Sequence, residues 1–248
     1  MKKLILSVAA AICSFVAFAG TAKTGMTYVD TKTSIVWKFT GSREYAEPGL
    51  WTAAIEGAQM VDGSSVSNNL VIPEKLGEYT VTKINKNAFK NNTGITGVTL
   101  PATITSIHAD AFSGSTLEQN ALGEDQSKPF VIGDFLITYQ GSDSTFTTPD
   151  GVKKIAELAF KSSSASNIIL RDEVILVCQD ALAVSSGSTT YRSPFKSITF
   201  GTGITDLASQ VKMSLLGNAA ERIEFKAITE VPAPVNAGGT TLYNFFKR

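Results

Sequence analysis

The feature that most constrains this chain is an internal repeat. The segments Val81 to Lys90 and Ile104 to Ser113 superimpose, with Ile84 and Ile107, Ala88 and Ala111, and Phe89 and Phe112 each 23 residues apart. A third copy runs from Val152 to Lys161, and a weaker fourth from Val174 to Leu182. Each copy follows a short alternating run: Leu70-Val71-Ile72-Pro73, Val98-Thr99-Leu100-Pro101, Phe146-Thr147-Thr148-Pro149 and Ile168-Ile169-Leu170-Arg171. The later runs Ile198-Thr199-Phe200-Gly201 and Ile223-Glu224-Phe225-Lys226 keep the alternation but lose the proline and the Ala-Phe landmark, which gives about six turns, two of them degenerate.

Apolar, polar, apolar order, as in Val98-Thr99-Leu100, specifies a short strand with one buried face, and Pro101 ends it because proline cannot donate to a strand ladder. Ile104, Ile107, Ala111 and Phe112 then bury a second edge in the same layer. A unit this short cannot hide its apolar face alone, whereas stacked copies share one core. The expected fold is a right-handed repeat solenoid, mainly short parallel β-strands with turns or short helical pieces.

The strand closed by proline, the Ile-Thr-Ser-Ile at 104–107, and Ala111-Phe112 four and five residues after Ile107 resemble the BspA-like, or Treponema-type, leucine-rich repeat family. Asn69 to Phe89 is similar to that family's first repeat, in which an insertion, here Glu74 to Thr80, separates the proline from Val81. Phe130 to Gly141 is similar to the hairpin that often interrupts such arrays. The resemblance covers about residues 69–230. It implies a secreted bacterial surface protein that binds other proteins, with adhesion to host or matrix proteins as the family role.

The ends read differently. Lys2 and Lys3, an apolar stretch from Leu4 to Phe18, and Ala17-Phe18-Ala19 have the order of a cleaved export signal, and the stretch is shorter than the ~20 residues that span a bilayer. Residues 1–19 are therefore assigned as a signal peptide, 20–68 as an N-terminal β cap, 69–230 as the solenoid with an interruption at 117–145, and 231–248 as a tail or partial cap. In the cap, Ile35, Trp37 and Phe39 alternate with Val36, Lys38 and Thr40 beside Thr27-Tyr28-Val29. Location follows as secreted, periplasmic or cell-surface, with no membrane span after cleavage. Cys178 is then the one thiol left, so no internal disulfide forms.

Chemistry is sparse. With 22 basic and 22 acidic side chains, no charge excess favours nucleic acid. The sole histidine, His108, falls in a repeat column with Asn85, Ala156 and Cys178, which reads as a turn position and not as catalysis. No metal-ligand or cofactor motif occurs, so no catalytic, cofactor-binding or metal-binding residues are expected. The pairs Glu124-Asp125 and Asp172-Glu173 read as turn residues facing water. What remains is a face of small, β-branched side chains: Val71, Thr99, Thr147, Ile169, Thr199 and Glu224, flanked by Ser197 and Arg222. The expected function is non-enzymatic binding of a protein partner through this face. The alternatives are an envelope spacer and, last, a hydrolase with a site in 117–145.

Overall fold

The computed structural model describes residues 22–43, 50–183, 195–205 and 222–228. Residues assigned to the export signal and to the C-terminal tail lie outside these.

The chain opens with three antiparallel strands, β1 (Ala22–Asp30), β2 (Ile35–Arg43) and β3 (Trp51–Met60). Alternation places Trp37 and Phe39 of β2 and Ala53 and Ile55 of β3 in the core. Sequence reading found the first two strands. β3 is new, and it matters because it pairs in parallel with the first repeat.

Two ladders of parallel strands then build the array. The first contains the short alternating runs: β4 (Asn68–Val71), β7 (Ile95–Thr99), β11 (Thr145–Thr147), β13 (Asn167–Leu170), β15 (Ser197–Phe200) and β16 (Arg222–Phe225). The second contains the strands at the inner Ile or Val: β6 (Tyr79–Ile84), β8 (Ser106–Ile107), β12 (Lys154–Ile155) and β14 (Leu176–Val177). The insertion before Val81 is a hairpin in which β5 (Lys75–Leu76) pairs antiparallel with the start of β6 around Gly77, at φ +62°. The repeat solenoid expected from the period is the fold observed.

The second ladder propagates by one recurring hydrogen bond. The amide after the inner apolar residue donates to the carbonyl of the preceding rung: Asn85 to Ile55, His108 to Ile84 and Cys178 to Val177's neighbour in the rung before, Ile155, at 2.8, 3.0 and 2.9 Å. Ile55 belongs to β3, so the antiparallel unit supplies a rung zero for the array. Three positions past the inner residue the chain turns through the left-handed region at Asn87, Leu158 and Asp180, with φ of 63°, 58° and 53°. Asn and Asp tolerate that conformation; Leu does so at a cost. In the second rung, the 3-10 turn Ala109–Phe112 replaces it.

Beneath the turns lies the phenylalanine column. Phe89, Phe112 and Phe160 are all buried, and the Phe89 and Phe112 rings stack with centroids 5.1 Å apart. Phe160 contacts Tyr139, Phe146 and Phe195 edge-on at 5.5–6.2 Å. One apolar core runs from Trp37 to Ile223.

The array is interrupted where the period predicts an ordinary rung. Thr93 and Thr116 stand 23 residues apart, and Thr116 N–H donates to the Asn92 carbonyl at 3.0 Å. Instead a helix follows, α1 (Thr116–Leu122). Ser115 Oγ accepts from Glu118 N–H while Glu118 Oε2 accepts from Gly114 N–H, a reciprocal cap that fixes the first turn, and Gly123 at φ +60° closes the helix. After it comes the hairpin β9 (Phe130–Ile132) and β10 (Phe135–Thr138), and β10 pairs with β12.

Candidate binding face

The eight residues singled out from the sequence all lie on the first ladder, but not on one continuous face. Val71 pairs with Thr99 in the two-stranded sheet of β4 and β7. Thr147, Ile169, Thr199 and Glu224 are consecutive register partners across β11, β13, β15 and β16. Between these sheets no strand joins Thr99 to Thr147. The expected single ladder is therefore two, and α1 is the reason: its capped sequence takes a strand's slot and supplies no edge for β7 or β11.

Side chains on the larger sheet hold one another. Asn167 Nδ2 donates to Ser144 O and Thr145 Oγ1 at 2.8 and 3.3 Å, and Ser197 Oγ donates to Asn167 Oδ1 at 2.7 Å. Arg222 pairs in register with Ser197, and its Nη2 donates to Glu224 at 2.9 Å, so the charged end of the face is internally neutralised. Thr145 and Asn167 were missed by sequence reasoning, although their position two residues before Thr147 and Ile169 gives them the same outward parity as Ser197. On the smaller sheet Asn69 Nδ2 donates to Thr99 Oγ1 at 3.1 Å. Val71 stands 58% exposed.

A cleft of about 460 Å³ opens beside the break, lined by Val98 to Ala102 on one side and Gly133, Asp134 and Lys154 on the other. Its one cation is already engaged: Lys154 Nζ lies 3.6 Å from Asp134, donates to Ile104 O at 3.2 Å and sits 4.9 Å above the Phe135 ring.

His108 and Cys178 occupy the turn column at the end of the second ladder, away from the first. Cys178 is buried, its Sγ donates to Thr105 O at 3.4 Å, and burial, with Glu157 nearby, pushes its thiol up to about 12. Such a thiol is no nucleophile at neutral pH. Asp125 accepts from Ser127 and Asp172 from Thr202 N–H, each as a turn cap on the surface. Among the described residues no group of three or more His, Cys, Asp or Glu is placed to hold a metal ion. In the interruption, burial and the Asp143 hydrogen bond push the Tyr139 phenol up to about 12.

No curated protein and no solved structure matches this chain. A family model for the BspA type leucine rich repeat region matches in 6 copies, over residues 64–189 and 131–211, more than half of the sequence. Stacked rungs with the buried Phe column and a family match over that same region agree, and the chain belongs to the BspA-type leucine-rich repeat family.

Proposed function

We propose that this chain is an exported, non-enzymatic binding protein that holds a host, matrix or envelope protein against its first ladder. Leucine-rich repeat arrays serve protein–protein interaction in general, through extended surfaces presented by stacked repeats. The observation that carries the reading here is the sheet of β11, β13, β15 and β16, whose outward side chains are uncharged over most of their extent, with Thr145, Asn167 and Ser197 hydrogen-bonded to one another and Arg222 to Glu224. A partner docking there desolvates few unpaired polar groups, which keeps the cost of contact low.

Export rests on the Lys2-Lys3, apolar run and Ala17-Phe18-Ala19 order, with the unit of residues 20–68 as a cap that covers the first rung. No helix among the described residues is long and apolar enough to cross a membrane.

The test pairs capture with disruption. Residues 20–248 are used to capture partners from extracellular-matrix and envelope fractions, and a captured protein is then titrated against Thr99→Arg and Thr199→Arg. Loss of binding with the fold intact supports the face; undiminished binding by both variants sinks it. N-terminal sequencing of the native protein tests export, and an intact Met1 in the cytosol overturns that part.

A further inference from the structure

Both ladders stop at the same place. Within the described residues, β7 pairs only with β4 and β8 only with β6, while the strands from β9 onward form two other sheets. Two stacks thus meet at a seam. Besides the shared apolar core, what crosses it is polar. Glu157 N–H donates to Ile107 O at 2.8 Å, and Ala109 N–H donates to Glu157 O at 2.9 Å. Glu157 Oε1 accepts from Lys83 Nζ and Ser106 Oγ at 2.7 and 2.5 Å, and Lys161 pairs with Asp110.

The only histidine in the chain stands at the centre of this seam. The backbone of His108 forms the isolated parallel bridge to Glu157. Its Nδ1 accepts the Asp110 N–H at 3.0 Å, capping the 3-10 turn Ala109–Phe112, and that turn aims the Ala109 N–H at Glu157. The cap requires an unprotonated Nδ1. A proton there turns an acceptor into a donor facing a donor.

We propose that His108 makes the seam a pH-sensitive joint: on acidification the imidazole takes up a proton at Nδ1, the cap on Ala109–Phe112 is lost, and the two stacks loosen at the seam while each stays folded. The charged groups facing the ring are Asp110 on its own turn, Lys86 from the turn after β6, and Glu157 and Lys161 from the turn after β12. Burial disfavours the imidazolium and the two lysines add to it. Together they outweigh the two carboxylates and hold the group below its ordinary value near 6.5. A histidine lowered in the closed state binds its proton more readily once the seam opens. The closed seam is therefore stable above the ordinary histidine range and loses stability as pH falls through it.

The test is amide hydrogen exchange at about pH 7.5 and about pH 5, corrected for intrinsic rates, the range over which a histidine changes charge. The expected result is a several-fold loss of protection at Ala109 and Glu157 on acidification, with Ile168 and Ile198 in the neighbouring stack unchanged. His108→Asn keeps a side-chain acceptor that does not titrate, and its seam amides stay protected at both pH values. His108→Ala is unprotected at both. Seam amides that track Ile168 at every pH, or a pH response that persists in His108→Asn, overturn the proposal. Should neither variant fold, NMR titration of the wild-type imidazole decides it, and a midpoint at or above 6.5 rules the joint out.

Discussion

The sheet of β11 to β16 and the seam are built from the same repeat, yet they are held together in opposite ways. In the sheet, each strand finds its neighbour's full edge, Ile168, Ile198 and Ile223 stay in register, and Phe200 and Phe225 stack at 4.5 Å. At the seam the backbone pairing shrinks to the single bridge of His108 and Glu157, and side-chain caps and ion pairs add to it. Regular rungs thus rest on ladder pairing, whereas the seam adds side-chain attachment through Glu157, Asp110, Lys154 and Cys178.

The comparison breaks most visibly where both regions share a core. Phe112→Ala should cost about 3–5 kcal/mol through lost transfer energy and the cavity left beside Phe89, measured by urea denaturation. A loss under about 1 kcal/mol would mean that the phenylalanine column does not bear on stability. Next comes a glycine on the regular side. A Cβ at Gly203 would lie 2.3 Å from the Val174 carbonyl oxygen, where the turn after β15 packs on the turn after β13. Gly203→Ala should therefore destabilise by about 1–3 kcal/mol in a thermal melt, as overpacking does.

The seam's own contributions are smaller. Ser115→Ala removes the helix cap and should cost about 1 kcal/mol, with exchange protection falling first in α1. Burial alone would raise the Asp110 carboxyl, but the Lys161 hydrogen bond and charge outweigh it, with His108 and Lys86 adding to them, and the group is lowered from 3.8. The stability it contributes is present above that ordinary value and is lost as pH falls through the lowered one. Asp110→Asn should flatten the acid limb of stability below about pH 4, and an unchanged acid limb would assign that loss to other carboxylates. The smallest effect has the opposite sign. Leu158 holds a left-handed conformation that Asn87 holds in the equivalent position. Leu158→Asn should raise stability by about 0.5–1 kcal/mol by calorimetry.

Periodicity exposed what periodicity builds. The paired strands, their prolines and the buried Phe89, Phe112 and Phe160 could be read because each position recurs in the same chemical role. β3 escaped because Ile55 copies a rung without copying the repeat's sequence. α1 was legible in principle, since Ser115, Glu118 and Gly123 carry the cap signals; the hairpin resemblance drew attention past them. The contact of Lys83 with Glu157, 74 residues apart, could not be read at all. It joins rungs on either side of an insertion, where a repeat offset no longer says which positions meet. For the candidate face, alternation gave outward parity for all eight residues but carried no information on sheet continuity, which depends on a neighbour that the sequence made helical.

The rung-zero role of Ile55 bears on how the chain acquires its shape. Contacts between successive rungs join residues near one another in sequence, and loops closed over short separations form quickly. The starting edge, β3, lies at the N-terminal end of the array and pairs with β6. Later turns can then add to that edge one after another, each on a rung already formed. The antiparallel unit is in that sense a seed crystal, from which the array grows toward its C-terminus.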